Sequence, residues 1–161
     1  TTTNMIAMGM LYLLSDAALA AHLRAKPADI RLAVEEFLRF TSPVQFSPRR
    51  VARCYVEVGG VTIRKGEGLF LSLASANRDE TVFAAPDVLD IHRDNAAQIA
   101  FGFGIHQCLG QVLARIELQV IFERLLVGMP SLALDVPFDA LRFKHDMQIY
   151  GVHNLPVRWL R

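Results

Sequence analysis

Residues 101–110, FGFGIHQCLG, constrain this chain more than any other stretch. Three glycines, a histidine and a cysteine within ten positions ask for a backbone that bends sharply or lets a large group approach closely. Beyond it, Leu109, Val112, Leu113, Ile116, Val120 and Ile121 recur at helical spacing, which predicts a helix from near Leu109 to Gly128-Met129-Pro130. Cys108 therefore stands at or just before a helix start, where outward-pointing N–H groups and the helix dipole favour a thiolate.

Several chemistries use a cysteine in such a place. A buried structural cysteine is the plain reading for one taken at random. A zinc centre is short of ligands, since His106 and Cys108 have no second pair at metal-ligand spacing. A cysteine–histidine nucleophile needs a base recruited through space, and His106 is too near along the chain. A phosphate loop would need lysine and serine or threonine after the last glycine. A haem-thiolate ligand accounts for the most at once: the glycines, the aromatic Phe101, the helix start and the single cysteine.

The rest of the 161 residues reads as one domain with helices first. Asn4–Leu14 is apolar on all sides, as in a helix buried in a large core. Ser15-Asp16 ends it and caps an alanine-rich helix over Ala17–Ala25, which Pro27 stops. Asp29 is placed to cap a third helix, with Ile30, Ala33, Val34, Phe37 and Leu38 on one stripe. Pro43 and Pro48 force an extended passage. VARCYVEV, Gly59-Gly60 and VTIRK predict a hairpin, and LFLSLASA a buried strand or the entry to a short helix. Residues 77–100 have no clean period, and so long an irregular stretch in a compact domain points to function. Short strands are predicted at the end.

Net charge is +1, so electrostatics favours neither nucleic acid nor an anionic membrane as a partner. The cluster Arg49, Arg50 and Arg53 lies on one strand-like run and reads first as a solvated edge. Two cysteines give no disulfide framework, which predicts a reducing, cytoplasmic setting. The apolar run from Met5 to Leu14 is too short to span a bilayer and lacks the flanks of a signal peptide. A hydrophobic content of 52% exceeds the usual 45–50% or so. Either the core is unusually large, or some apolar surface covers something outside the chain. The opening TTTNMIAMGM reads as the middle of a buried helix, so a cut or partial chain is expected.

FGFGIHQCLG resembles the haem-binding signature of the cytochrome P450 monooxygenases, with Phe101, Gly104, His106, Cys108 and Gly110 at the fixed positions. The resemblance implies Cys108 as axial iron ligand of haem b, His106 on a haem propionate, and Phe101 packed beside the sulfur, with Gly102 in the same loop. EEFLRF resembles the family's glutamate-x-x-arginine helix, with Glu36 and Arg39 as its pair, and PDVLDIHR its meander, with Arg93 completing the network. Taken alone, such a pair at i, i+3 is a surface bridge worth a few tenths of a kcal/mol, about 0.2–0.5. SPRRVA resembles the strand whose arginine reaches a propionate, and its spacing to VGGV favours Arg50 over Arg49. TTTN resembles the oxygen-side helix, which makes Thr1 the threonine that helps handle oxygen and protons. Val44, Gln45, Phe46, Gln148 and Ile149 fall in segments that touch substrate in the family, with ordinary strand packing as the equal alternative.

The implied fold class is mainly α with small β-sheets (α+β). Residues 1–161 correspond to the C-terminal portion of the P450 haem domain, an incomplete fold. The implied activity is insertion of one atom of O2 into a small organic substrate, with electrons from a ferredoxin-type donor. The alternatives are a non-catalytic haem-binding or structural remnant that self-associates or pairs with a missing N-terminal part, and a thiol enzyme using Cys108 without haem.

Overall fold

Helix α1 (Thr2–Ser15) takes the centre of the chain because it is apolar on every side, and Met5, Met8, Met10, Leu11 and Leu13 are all buried. The structure, a computed structural model, describes residues 1–160. Asp16 ends α1 and caps α2 (Ala17–Ala25), its carboxylate accepting the Leu19 N–H at 2.9 Å. Pro27 opens a single 3-10 turn, Pro27–Asp29, that leads into α3 (Ile30–Thr41). The stripe Ile30, Ala33, Val34, Phe37 and Leu38 is buried as its spacing predicts. Asp29 is not the side-chain cap expected of it. It already has helical backbone angles, and its carboxylate turns away to His22 and Lys26.

The run VARCYVEV divides between two small sheets rather than forming one strand. Strand β1 (Arg50–Val51) pairs antiparallel with β4 (Gly68–Leu69), while β2 (Val56–Val58) pairs with β3 (Val61–Ile63). Gly59 and Gly60 join the second pair at φ +57° and +78°, the two positive angles that a two-residue hairpin of this twist requires. LFLSLASA becomes the end of β4 and a short helix, α4 (Leu73–Ala76), capped by the Ser72 hydroxyl. A third pair, β5 (Ala133–Leu134) with β6 (Val157–Arg158), closes the C-terminal end. Among the described residues the architecture is mainly helical with three two-stranded antiparallel sheets. No single helix among the described residues is long and apolar enough to cross a membrane, and α1 with α2 bends by 103°.

Helix α5 (Gln111–Gly128) corrects the sequence reading. It begins two residues after Leu109, and its buried side carries Leu118, Phe122 and Leu126. Val112, Leu113, Ile116 and Val120, the stripe that periodicity picks out, are exposed. The helix is apolar over most of its circumference, so periodicity cannot choose a face; packing on α1 and α3 chooses it. The choice is enforced at Gly9, where a Cβ would lie 2.2 Å from Phe122 Cζ. The same ring meets Phe37 edge-on, with centroids 5.7 Å apart.

This close crossing makes Gly9→Ala a test of the packing. Alanine favours a helix interior by about 1 kcal/mol over glycine. Overpacking against Phe122 costs about 1–3 kcal/mol, so net destabilisation is expected, read as a lower midpoint in urea unfolding. An unchanged or higher midpoint contradicts the contact.

Candidate functional site

A cavity of about 720 Å³ opens between the start of α1, the end of α3, α4, the loop before α5 and the start of α5. Thr1, Val44, Arg50, Phe101, Gly102, His106 and Cys108, seven residues singled out in the sequence, all line it. Most of the remaining wall is apolar, with Met5, Leu38, Phe70, Leu73, Ala100 and Leu118 contributing. A volume within about 300–1,000 Å³, apolar walls and a few convergent polar groups are the ordinary features of a small-molecule or cofactor site.

The cysteine loop is built by its glycines and by three backbone bonds. Gly102 and Gly104 adopt φ +74° and +77°, a region side chains disfavour. Gly102 N–H donates to Ile99 O at 2.8 Å and Gln107 N–H to Gly104 O at 3.0 Å around a 3-10 turn, Gly104–His106. Cys108 N–H then closes the loop onto Phe101 O at 2.9 Å. The thiol is thereby held just ahead of the first helical residue, Gln111, whose N–H reaches Cys108 O at 3.3 Å. Cys108 is exposed, which removes the buried structural reading. Gly110 has an ordinary φ of −83° and open space beside it, and nothing in its own surroundings requires glycine.

Beneath the loop lies a buried ion-pair network. Arg39 Nε donates to Glu36 Oε2 at 2.8 Å and its Nη2 to Oε1 at 2.7 Å, with both side chains at 0% exposure. Arg93 Nε approaches the same Oε1 at 3.4 Å, and the Asp90 N–H donates to it at 2.9 Å. The surface-bridge reading of this pair is thus replaced by an interior one. Residues 77–100 contain no helix or strand, so their carbonyls need donors from elsewhere. Arg39 donates to Asn77 O, Pro86 O and Val88 O, and Arg93 to Ala84 O, Ala85 O and Val88 O. The arginines hold Ala85 at φ +46°, an unfavourable angle for alanine, immediately before Pro86.

The sequence passed over two supports of this site. Asn77 is fully buried; its Nδ2 donates to Ser42 Oγ at 2.7 Å and its Oδ1 accepts the Ile99 N–H at 2.8 Å. It ties the end of α3 to the start of the cysteine loop through partners 35 and 22 residues away, which no local sequence signal marks. Arg115 pairs with Glu35, Nε to Oε1 at 2.6 Å, and its guanidinium lies 4.6 Å from the Phe101 ring centre. Their separation of eighty residues hid that bridge.

The five substrate candidates part company. Val44 lines the cavity and pairs with Ile149 through an isolated antiparallel bridge, so Ile149 backs the wall. Gln45 turns its amide to Ser42 O at 2.7 Å and ends α3. Phe46 is exposed, edge-on to Phe70 at 6.3 Å, and Gln148 is exposed too. These three do not line the cavity. Arg50 does and Arg49 does not; Arg49 lies over the Phe70 ring at 5.6 Å.

The family model described as cytochrome P450 matches residues 30–127. Cytochrome P450-SU2 of Streptomyces griseolus is 50% identical over 159 residues, covering 99% of this chain and 40% of that protein. The 20-oxo-5-O-mycaminosyltylactone 23-monooxygenase of Streptomyces fradiae is 43% identical over 99% of this chain and 38% of its own length. The crystal structure of cytochrome P450 MoxA from Nonomuraea recticatena superposes with a TM-score of 0.96 at 48% identity, over 99% of this chain and 40% of that one. The chain therefore spans about two fifths of the length of the relatives it matches.

Two substitutions test the bracing. Arg39→Ala strands Glu36 in the interior, and breaking such a pair costs about 3–5 kcal/mol. Asn77→Ala leaves the Ile99 N–H without its acceptor at about 1–3 kcal/mol. Chemical denaturation should rank the first loss above the second. A wild-type midpoint for Arg39→Ala contradicts the buried network.

Proposed function

The chain belongs to the cytochrome P450 family, and on that premise we propose that its cavity would hold haem b, with the Cys108 thiolate as the protein's ligand to iron. The protein carrying it is then a haem-thiolate monooxygenase. The observation that carries the reading is convergence: Cys108, His106, Arg50 and Thr1 come from three separate parts of the chain and line one cavity.

The residues fit such a group. A flat apolar macrocycle with one iron and two carboxylates asks for apolar walls, one strong axial donor and cationic or N–H partners at its edge. Leu38, Leu73, Phe101 and Leu118 supply walls, and Gly102 keeps the loop free of a side chain. Cys108 supplies the soft donor. The Arg50 guanidinium and the His106 imidazole supply charge-assisted hydrogen bonds to carboxylates. Bound haem with a thiolate ligand supplies oxygen activation, one atom of O2 entering an organic substrate and the other leaving as water, with two electrons and two protons consumed.

This chain's residues have narrower tasks. The glycine loop and its Phe101 O bond fix where the sulfur points. Phe101, on the same loop and 4.6 Å from the Arg115 guanidinium, adds an apolar wall to the cavity that Cys108 lines. The Thr1 hydroxyl on the cavity wall would hold or pass protons, and Val44 and Phe70 would bound the substrate's space. We assign the substrate to small organic molecules, the electron donor to a ferredoxin-type protein and the location to the cytoplasm, in keeping with two exposed free thiols. The uncovered side of α5, with Val112, Leu113, Ile116 and Val120 in solvent, supports a second reading. On it, this stretch works only when covered, by the rest of a longer protein or by a second copy.

The deciding experiment is the carbon monoxide difference spectrum of the reduced protein loaded with haem. The red-shifted Soret band of thiolate ligation is expected for the wild type and absent for Cys108→Ala. An identical spectrum from the variant removes Cys108 as ligand. Haem uptake without turnover when a ferredoxin and its reductase are added favours the second reading.

A further inference from the structure

We propose that His22, Asp29 and His92 form a binding site for one divalent transition-metal ion of the Zn²⁺ type, outside the haem cavity. The site ties the end of α2 to the irregular segment 77–100. It does not depend on the haem assignment.

The three residues come from separate segments. His22 lies in the last turn of α2, Asp29 in the 3-10 turn, and His92 next to Arg93 in the irregular stretch. One ligand atom from each lies within 4.8 Å of the others. His22 Nε2 is 2.9 Å from Asp29 Oδ2, and the two imidazole rings cross at 87° with centroids 5.8 Å apart. Tetrahedral zinc with bonds of about 2.0–2.1 Å separates its ligand atoms by roughly 3.3 Å, so small side-chain rotations complete the geometry. Crossed planes let both rings present a nitrogen to one point without colliding.

The surroundings suit a cation. Asp29 is 6% exposed, while His22 and His92 are open to solvent, so a carboxylate forms the floor and two imidazoles the mouth. Hydrogen bonds from His22 and then Lys26 hold the Asp29 carboxyl below the usual carboxylate range. The carbonyl end of α2 adds negative potential at His22. Two imidazoles and one carboxylate are a donor set that zinc accepts, with a water in the fourth position.

One group competes. Lys26 Nζ sits 3.0 Å from the same Asp29 Oδ2, but its side chain is 62% exposed and can swing into solvent. Coordination through His22 Nε2 requires that nitrogen's proton to move to Nδ1 or leave to solvent. The gain is positional: Arg93, beside His92, reaches Glu36, and fixing His92 fixes that end of the network.

The test is a calorimetric Zn²⁺ titration of the chelator-stripped protein, repeated for His92→Gln and His22→Gln. One site whose affinity falls at least ten-fold in each variant is expected. Zinc should raise the melting temperature of the wild type and not that of His92→Gln. His92 makes no hydrogen bond to Asp29, so that variant keeps the His22–Asp29 pair and should melt normally without zinc. Zinc-edge X-ray absorption of the one-equivalent complex should show nitrogen and oxygen near 2.0–2.1 Å and no sulfur near 2.3 Å, both approximate distances for zinc. Undiminished affinity in His92→Gln overturns the site. So does a sulfur shell, which puts the ion on Cys54 or Cys108.

Discussion

Arg39 has five guanidinium N–H groups, and the fully buried side chain uses all five. Two go to the Glu36 carboxylate and three to the carbonyls of Asn77, Pro86 and Val88. Desolvating an ion pair this completely costs several kcal/mol per ion, and the pair survives because every Arg39 guanidinium N–H has an acceptor and both Glu36 oxygens have donors. The consequence spreads outward. Residues 77–100 need no regular structure because the guanidiniums of Arg39 and Arg93 take the carbonyls that a sheet or helix would otherwise satisfy. An irregular segment built this way is fixed in place. Its two ends, Asn77 and Ile99, are hydrogen-bonded to each other.

The cysteine loop inherits that fixity. Ile99 accepts from Gly102, Phe101 accepts from Cys108, and Asn77 holds Ile99 from below. The path from the buried pair to the thiol therefore runs through a few strong, short links. Arg115 adds a second path, joining α3 to α5 through Glu35 and pressing on Phe101 between them. A sulfur meant to hold one orientation benefits from supports that cannot relax independently.

What could be read in advance follows from how local each signal is. FGFGIHQCLG, the α3 stripe and the Gly59-Gly60 hairpin are local, and the structure keeps all of them. Glu36, Arg39 and Arg93 were visible because a family pattern singled them out; their spacing alone says surface bridge. Asn77 and Arg115 act through contacts tens of residues away and left no local trace. Asp29 went wrong because a helix-cap position and an ion-pair position look alike in sequence, and His22 and Lys26 outbid the backbone for its carboxylate. The Val112–Val120 stripe went wrong for a different reason. A helix with apolar residues on most of its faces has no single period to read.

That helix also explains the composition. Leu118, Phe122 and Leu126 bury one side of α5, and Ala114 with Leu118 faces the cavity. Val112, Leu113, Ile116 and Val120 remain in solvent. Leu109, Ile105 and Phe103, ahead of the helix, are exposed as well, and the last of them lines the cavity. Exposed apolar side chains thus stand both at the wall of the cavity and on the far side of α5. On the haem-thiolate reading, the apolar side of α5 and the cavity wall at Phe103 both call for a cover, which is the outcome that a composition this apolar anticipates.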